Sequence, residues 1–302
     1  MHTRPPASAY FALTGTTLAF GLSFVGTKFG LQGFEPLLLA FLRFAFAGGI
    51  LWVAWRASGA RERATRAELA RLALLGFVSL TVYFTLENSG IARTSASEAA
   101  VLMAGVPIVV LVLNRFTLHE HTSARELAGI ALSFAGILAL VGVSGNEGES
   151  STVGNLLVLG ACLAAGGYAL LARHLLVDRS PLYVTAFQNL FGALFMLPLT
   201  LIEAAVVGVR TPTWTAVGAL VYLTTICSVV GYLLLNYAFG YVSAGRASVF
   251  LNLIPIVGIA GAYVLLGERF GLWQVVAAAV VISGVWLANS GQKRASGQPA
   301  AA

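Results

Sequence analysis

The chain has 302 residues, of which 58% are hydrophobic and only 10% charged, and a mean hydropathy of +0.85; these values exclude an ordinary soluble globule and point to a bundle in the bilayer. The net charge is +6, but 16 of the 18 basic residues are arginines clustered between apolar runs, five of them close together (Arg56, Arg61, Arg63, Arg66 and Arg71). A cytoplasmic topology signal explains that cluster without nucleic acid, and Cys162 and Cys227, both inside apolar runs, suggest neither a disulfide framework nor a metal site.

In chain order, ten apolar runs have membrane-spanning length. They cover residues 9–29, 36–55, 70–86, 97–116 and 126–143, then 153–171, 181–202, 217–236, 243–266 and 271–289. The first is too long for a signal-peptide core and has no small-x-small cleavage site, so it is read as a retained helix. The predicted organisation is a cytoplasmic N-terminus (1–8), five helices (9–143), a Gly- and Glu-containing linker (144–152), five more helices (153–290) and a polar cytoplasmic tail (291–302). With the N-terminus inside, thirteen Lys and Arg residues fall on the cytoplasmic side and four outside, with Arg43 left within a span. This bias places both termini in the cytoplasm.

The second half repeats the first. At a shift of 148, Asn88 meets Asn236, Pro107-Ile108-Val109 meets Pro255-Ile256-Val257, Glu120 meets Glu268 and Gly136 meets Gly284. The register holds without a gap from Leu86/Leu234 to Gly136/Gly284. Five spans per copy force the two copies to cross the bilayer in opposite senses, the arrangement that builds a central site reachable from either side. The fold class expected is therefore an all-α integral membrane protein of ten transmembrane helices in two inverted five-helix repeats.

The run from Asn252 through Pro255 to Gly267-Glu268, together with its looser counterpart from Ala104 through Pro107 to Glu120, resembles the EamA repeat of the drug/metabolite transporter superfamily. The resemblance covers residues 9–290 and is closest to the bacterial amino-acid exporters, including exporters of aromatic amino acids. It implies a multi-pass protein of the bacterial inner membrane that exports a small metabolite, with membrane lipid as its surroundings. Other drugs and metabolites carried by the superfamily remain open as substrates.

Candidate site residues follow from polar groups at membrane depth, where ionised side chains are costly. Arg43 lies seven residues into the second span among Phe41, Leu42, Phe44 and Phe46, and its repeat equivalent at a shift of 145 is Gln188, followed by Asn189. Arg43 either binds a substrate carboxylate or holds an outer gate, or pairs with Glu87 or Glu98. Tyr83, Glu87 and Asn88 end the third span; Asn236 and Tyr237 end the eighth. Asn88 and Asn236 either meet substrate or cap their helices. Pro107 and Pro255 each remove a backbone donor in mid-span, freeing the carbonyls of Met103 and Leu251. They read either as packing kinks or as hinges lining a cavity. With Met103 and Asn252 beside these breaks, the candidate set is complete. Gly26 and Gly30 stand in a GxxxG spacing, assigned to packing within the bundle, so a monomer is expected rather than a dimer.

No Asp, Glu or His occurs in the first or sixth predicted span, and His2, His119, His121 and His174 all lie outside the spans. The small multidrug-resistance proteins of the same superfamily use a first-helix glutamate for proton exchange, which this chain lacks. With a single deep cation, phosphorylated solutes are disfavoured as well. No catalytic constellation and no cofactor motif is present, so a scaffold or enzyme is the weaker reading. The expectation is alternating-access export of neutral or zwitterionic solutes by facilitated diffusion.

Overall fold

A computed structural model describes residues 6–59, 65–117, 123–143, 151–175, 179–239, 241, 250–269 and 271–291. Most of the expected linker, the tail beyond Gly291, and Glu120 lie outside the described residues. Among the described residues the regular elements are all helices: α1 (Ala7–Gly30), α2 (Pro36–Ala57), α3 (Arg66–Gly76), α4 (Tyr83–Ile91), α5 (Ala96–Met103), α6 (Val106–Thr117), α7 (Ala124–Val143), α8 (Thr152–Leu175), α9 (Pro181–Val207), α10 (Trp214–Tyr222), α11 (Tyr232–Phe239), α12 (Ile254–Gly261) and α13 (Leu272–Gly291), with π-helical segments between or after some of them. Among the described residues, six stretches are long and apolar enough to cross a membrane: Ala7–Gly30, Pro36–Ala57, Arg66–Ile91, Ala96–Leu113, Pro181–Val207 and Trp214–Leu235. Thr152–Tyr168, Ile254–Leu266 and Leu272–Ala288 are shorter apolar helices.

Helix starts are set by local chemistry. Thr65 and Glu68 form a reciprocal capping box at α3, and Ser95, Ser180 and Thr213 each accept a bond from the third backbone amide of their helices. Pro36 and Pro181 occupy first-turn positions, where a missing donor costs nothing. Two helices are capped by carboxylates from distant chain. Glu203 accepts from Leu37 N at 2.9 Å and Leu38 N at 3.0 Å, and Glu268 accepts from Ala96 N at 2.8 Å and Ser97 N at 2.9 Å.

The prolines do not break their helices in the way the sequence implies. α5 stops at Met103, Ala104 and Gly105 make a tight turn through bonds to Val101 and Leu102, and α6 restarts with Pro107 in its first turn. Asn252 and Leu253 form the matching turn before α12, with Pro255 in the first turn. The prolines therefore sit where no donor is needed, and the interruptions lie just upstream.

Large apolar side chains cover the exterior; Phe11, Val53, Val206, Trp214, Leu272 and Trp273 are all exposed. That inversion of the soluble pattern fits a lipid environment. Inside, small residues let helices approach closely. α7 and α13 meet at Gly129, Ser133, Gly136, Val281 and Gly284. A Cβ on Gly284 would run into the Ser133 amide, one on Gly136 would lie 2.8 Å from the Val281 amide, and Ser133 Oγ donates to Val281 O at 2.9 Å. Gly26 and Gly30 receive Tyr222 and Leu39 of this same chain. Trp55 is buried against Tyr183, with ring centroids 5.3 Å apart.

Candidate functional site

Two π-helical segments organise the polar interior. Phe77–Val82 joins α3 to α4, and Leu223–Gly231 joins α10 to α11. A π-turn holds an extra residue and often marks a functional position, because it offsets side chains from the regular helical rows. Each segment presents a serine to the helix packed beside it. Ser79 Oγ accepts from Gln188 Nε2 at 2.6 Å and donates to Leu75 O; Ser228 Oγ accepts from Arg43 Nε at 2.7 Å. The two amide or guanidinium donors are repeat equivalents, and the serines differ from the 148-residue register by a single position.

Arg43 is only 4% exposed. Its guanidinium carbon lies 4.8 Å from the Phe84 ring centroid and 5.3 Å from that of Phe44, so two aromatic faces offset part of the cost of burying the charge. The two rings themselves meet edge to face at 4.6 Å. Among the described residues Ser228 is the only hydrogen-bond acceptor on this guanidinium, and neither Glu87 nor Glu98 forms an ion pair with it. Glu98 is instead engaged by Thr94 at 3.0 Å, Asn155 at 2.9 Å and Gln274 at 2.7 Å. Glu87, 5% exposed, accepts a 2.6 Å bond from the hydroxyl of Tyr83 one turn earlier. Tyr232 of α11 packs against Phe20 of α1, with ring centroids 5.2 Å apart.

The remaining expected site residues are spread more widely. Asn88 is buried but its Nδ2 donates to Pro36 O at 3.0 Å, tying α4 to the start of α2 in place of capping its own helix, while its Oδ1 has no partner among the described residues. Asn189 donates back to Thr185 O at 2.8 Å within α9, and its Oδ1 is likewise unpartnered there. Met103 and Asn252 are half-buried at the two helix breaks, and Pro255 is buried. Tyr237 is exposed, its hydroxyl 2.9 Å from Ser8 Oγ near the start of α1. The side chain of Asn236 lies outside the described residues. Ser79, Ser228 and Phe84 were not among the residues expected from the sequence; the available signal was a run of small hydroxyl residues in the third and eighth spans, Ser79 and Thr81 against Thr224, Thr225 and Ser228.

The EamA-like transporter family matches this chain twice, at residues 7–142 and 152–290. The chain belongs to the EamA-like transporter family. As a family member it is a multi-pass membrane transporter of small metabolites and not an enzyme. It is similar to a probable terminal-alkyne amino-acid exporter of Streptantibioticus cattleyicolor, 29% identical over 97% of this chain and 98% of that protein. An uncharacterized transporter of Archaeoglobus fulgidus is 27% identical over 95% and 99%, and a probable amino-acid metabolite efflux pump of Salmonella typhimurium is 27% identical over 89% and 91%. A crystal structure 17% identical covers 95% of this EamA chain and 99% of its own with a TM-score of 0.65, which establishes a shared fold. Arg43 falls in the first matched region and Gln188 in the second.

Proposed function

We propose that this EamA transporter exports neutral amino acids, aromatic ones included, across the cytoplasmic membrane by alternating access, without a coupling ion. The observation that carries the reading is Arg43: a buried guanidinium between two phenylalanine rings, with one hydrogen bond to Ser228 and no carboxylate paired to it among the described residues. Such a group is poised for a planar anion, and its aromatic walls suit an apolar side chain. The names of the Streptantibioticus and Salmonella relatives point to the same solute class.

The architecture proposed with it is ten spans in two inverted repeats (9–143 and 153–290), both termini cytoplasmic, in the inner membrane, acting as a monomer. The two family matches support that division. So does the α7–α13 interface, where Ser133 bonds to Val281, its own equivalent 148 residues on. There the approach of Gly284 to Gly129 O is mirrored by that of Gly136 to Ala277 O. Contacts between a residue and its own repeat equivalent are those expected on a pseudo-two-fold axis.

The test is a proteoliposome uptake screen with labelled amino acids, run with and without a pH gradient. Saturable uptake of neutral amino acids is expected. If no amino acid is taken up while nucleosides, sugars or cationic drugs are, the amino-acid reading fails.

A further inference from the structure

Glu87 carries the inference furthest. Its side chain is buried in the bundle, Tyr83 fixes Oε1 at 2.6 Å, and Oε2 accepts no hydrogen bond from any described residue. A carboxylate in this setting demands a compensating charge, yet Glu87 forms no ion pair with Arg43 among the described residues. Arg43 in turn uses one of its five N–H donors among the described residues. The Phe84 ring, against which the guanidinium is packed, is in edge contact with Tyr83, at a centroid distance of 4.5 Å. Two opposite charges are thus buried as neighbours without satisfying each other.

We propose that Glu87 is the second half of the recognition site, accepting the α-ammonium of the substrate whose carboxylate Arg43 holds, so that the cluster selects zwitterions over amines and over carboxylic acids. The assignment rests on the amino-acid reading above. An α-amino acid carries its two charges on one carbon and so bridges two neighbouring buried ions that do not meet directly. With the ligand in place each protein charge gains an opposite partner, and charge-assisted bonds replace the water lost on entry. A ligand lacking either charge would leave one buried ion unpaired, which is how a polar site rejects a near-isostere. Tyr83 acts as a positioning residue that aims the carboxylate.

The experiment uses the full chain in proteoliposomes and measures inhibition of labelled L-phenylalanine uptake by unlabelled L-phenylalanine, N-acetyl-L-phenylalanine and L-phenylalaninamide. In the unmodified protein both derivatives should compete at least about tenfold more weakly than the amino acid. Glu87→Gln should bring N-acetyl-L-phenylalanine to within about threefold of L-phenylalanine while the amide stays weak. Arg43→Gln should do the converse. Thermal melting of each variant monitors the fold; if Glu87→Gln does not fold, the ligand series on the unmodified protein decides alone. Equal competition by L-phenylalanine and its N-acetyl derivative there overturns the assignment, even though uptake of L-phenylalanine would leave the amino-acid reading standing. Absence of uptake of any amino acid sinks both.

Discussion

Arg43 is stable in the bundle because three neighbours share its cost: Phe44 and Phe84 face the cation and Ser228 takes its Nε proton in a hydrogen bond. If the rest of the guanidinium binds a substrate carboxylate, Arg43→Gln removes charge-assisted bonds worth about 1.5–3 kcal/mol. The half-saturation concentration for L-phenylalanine should then rise roughly 10- to 100-fold. Arg43→Lys retains the charge but not the planar fork, and should recover only part of the affinity. Ser228→Ala leaves Nε without an acceptor and should weaken transport less than Arg43→Gln does. A folded Arg43→Gln protein with unchanged half-saturation for every amino acid would remove Arg43 from the site. Arg43, Glu87 and Gln188 were legible in the sequence because polar groups are conspicuous in apolar runs. Their partners were not: serines are cheap at membrane depth, and which ones face inward depends on an extra π-turn residue that no periodicity announces.

At the scale of elements, close helix approach and helix interruption do separate work. Gly284 has the Ser133 backbone where a side chain would go, whereas Gly49 on α2 faces open space. Gly284→Leu should therefore destabilise the folded protein by about 1–3 kcal/mol or more through overpacking. Gly49→Ala should be neutral or stabilising by up to about 1 kcal/mol. Thermal melts in detergent separate the two; equal melts would mean that the α7–α13 contact does not limit stability. The prolines were legible as helix breaks, but the location was not. Ala104-Gly105 and Asn252-Leu253 make the turns, and Pro107 and Pro255 only prevent the preceding helices from continuing. Pro107→Ala should for that reason cost far less than the ~3 kcal/mol of a proline effect inside a regular helix.

For the whole molecule, the 148-residue repeat was the most legible feature, since it survives as paired residues that need no three-dimensional context. The elements that meet across the bundle were not readable, because a helix that is apolar on the lipid side and on the protein side has no polar stripe to show which face turns inward. The proposed topology predicts that a cysteine at Ser58, in an otherwise cysteine-free chain, is labelled only from the cytoplasmic side; labelling from outside would reverse the orientation. Alternating access by a carrier is tested most directly by counterflow. Proteoliposomes preloaded with unlabelled L-phenylalanine should take up external labelled L-phenylalanine faster than empty ones and show a transient overshoot, with or without a pH gradient. Arg43→Gln should lose the overshoot at the same concentrations. Uptake that is unaffected by preloading would contradict the carrier account, and an overshoot that disappears when the pH gradient is removed would replace facilitated diffusion with proton coupling.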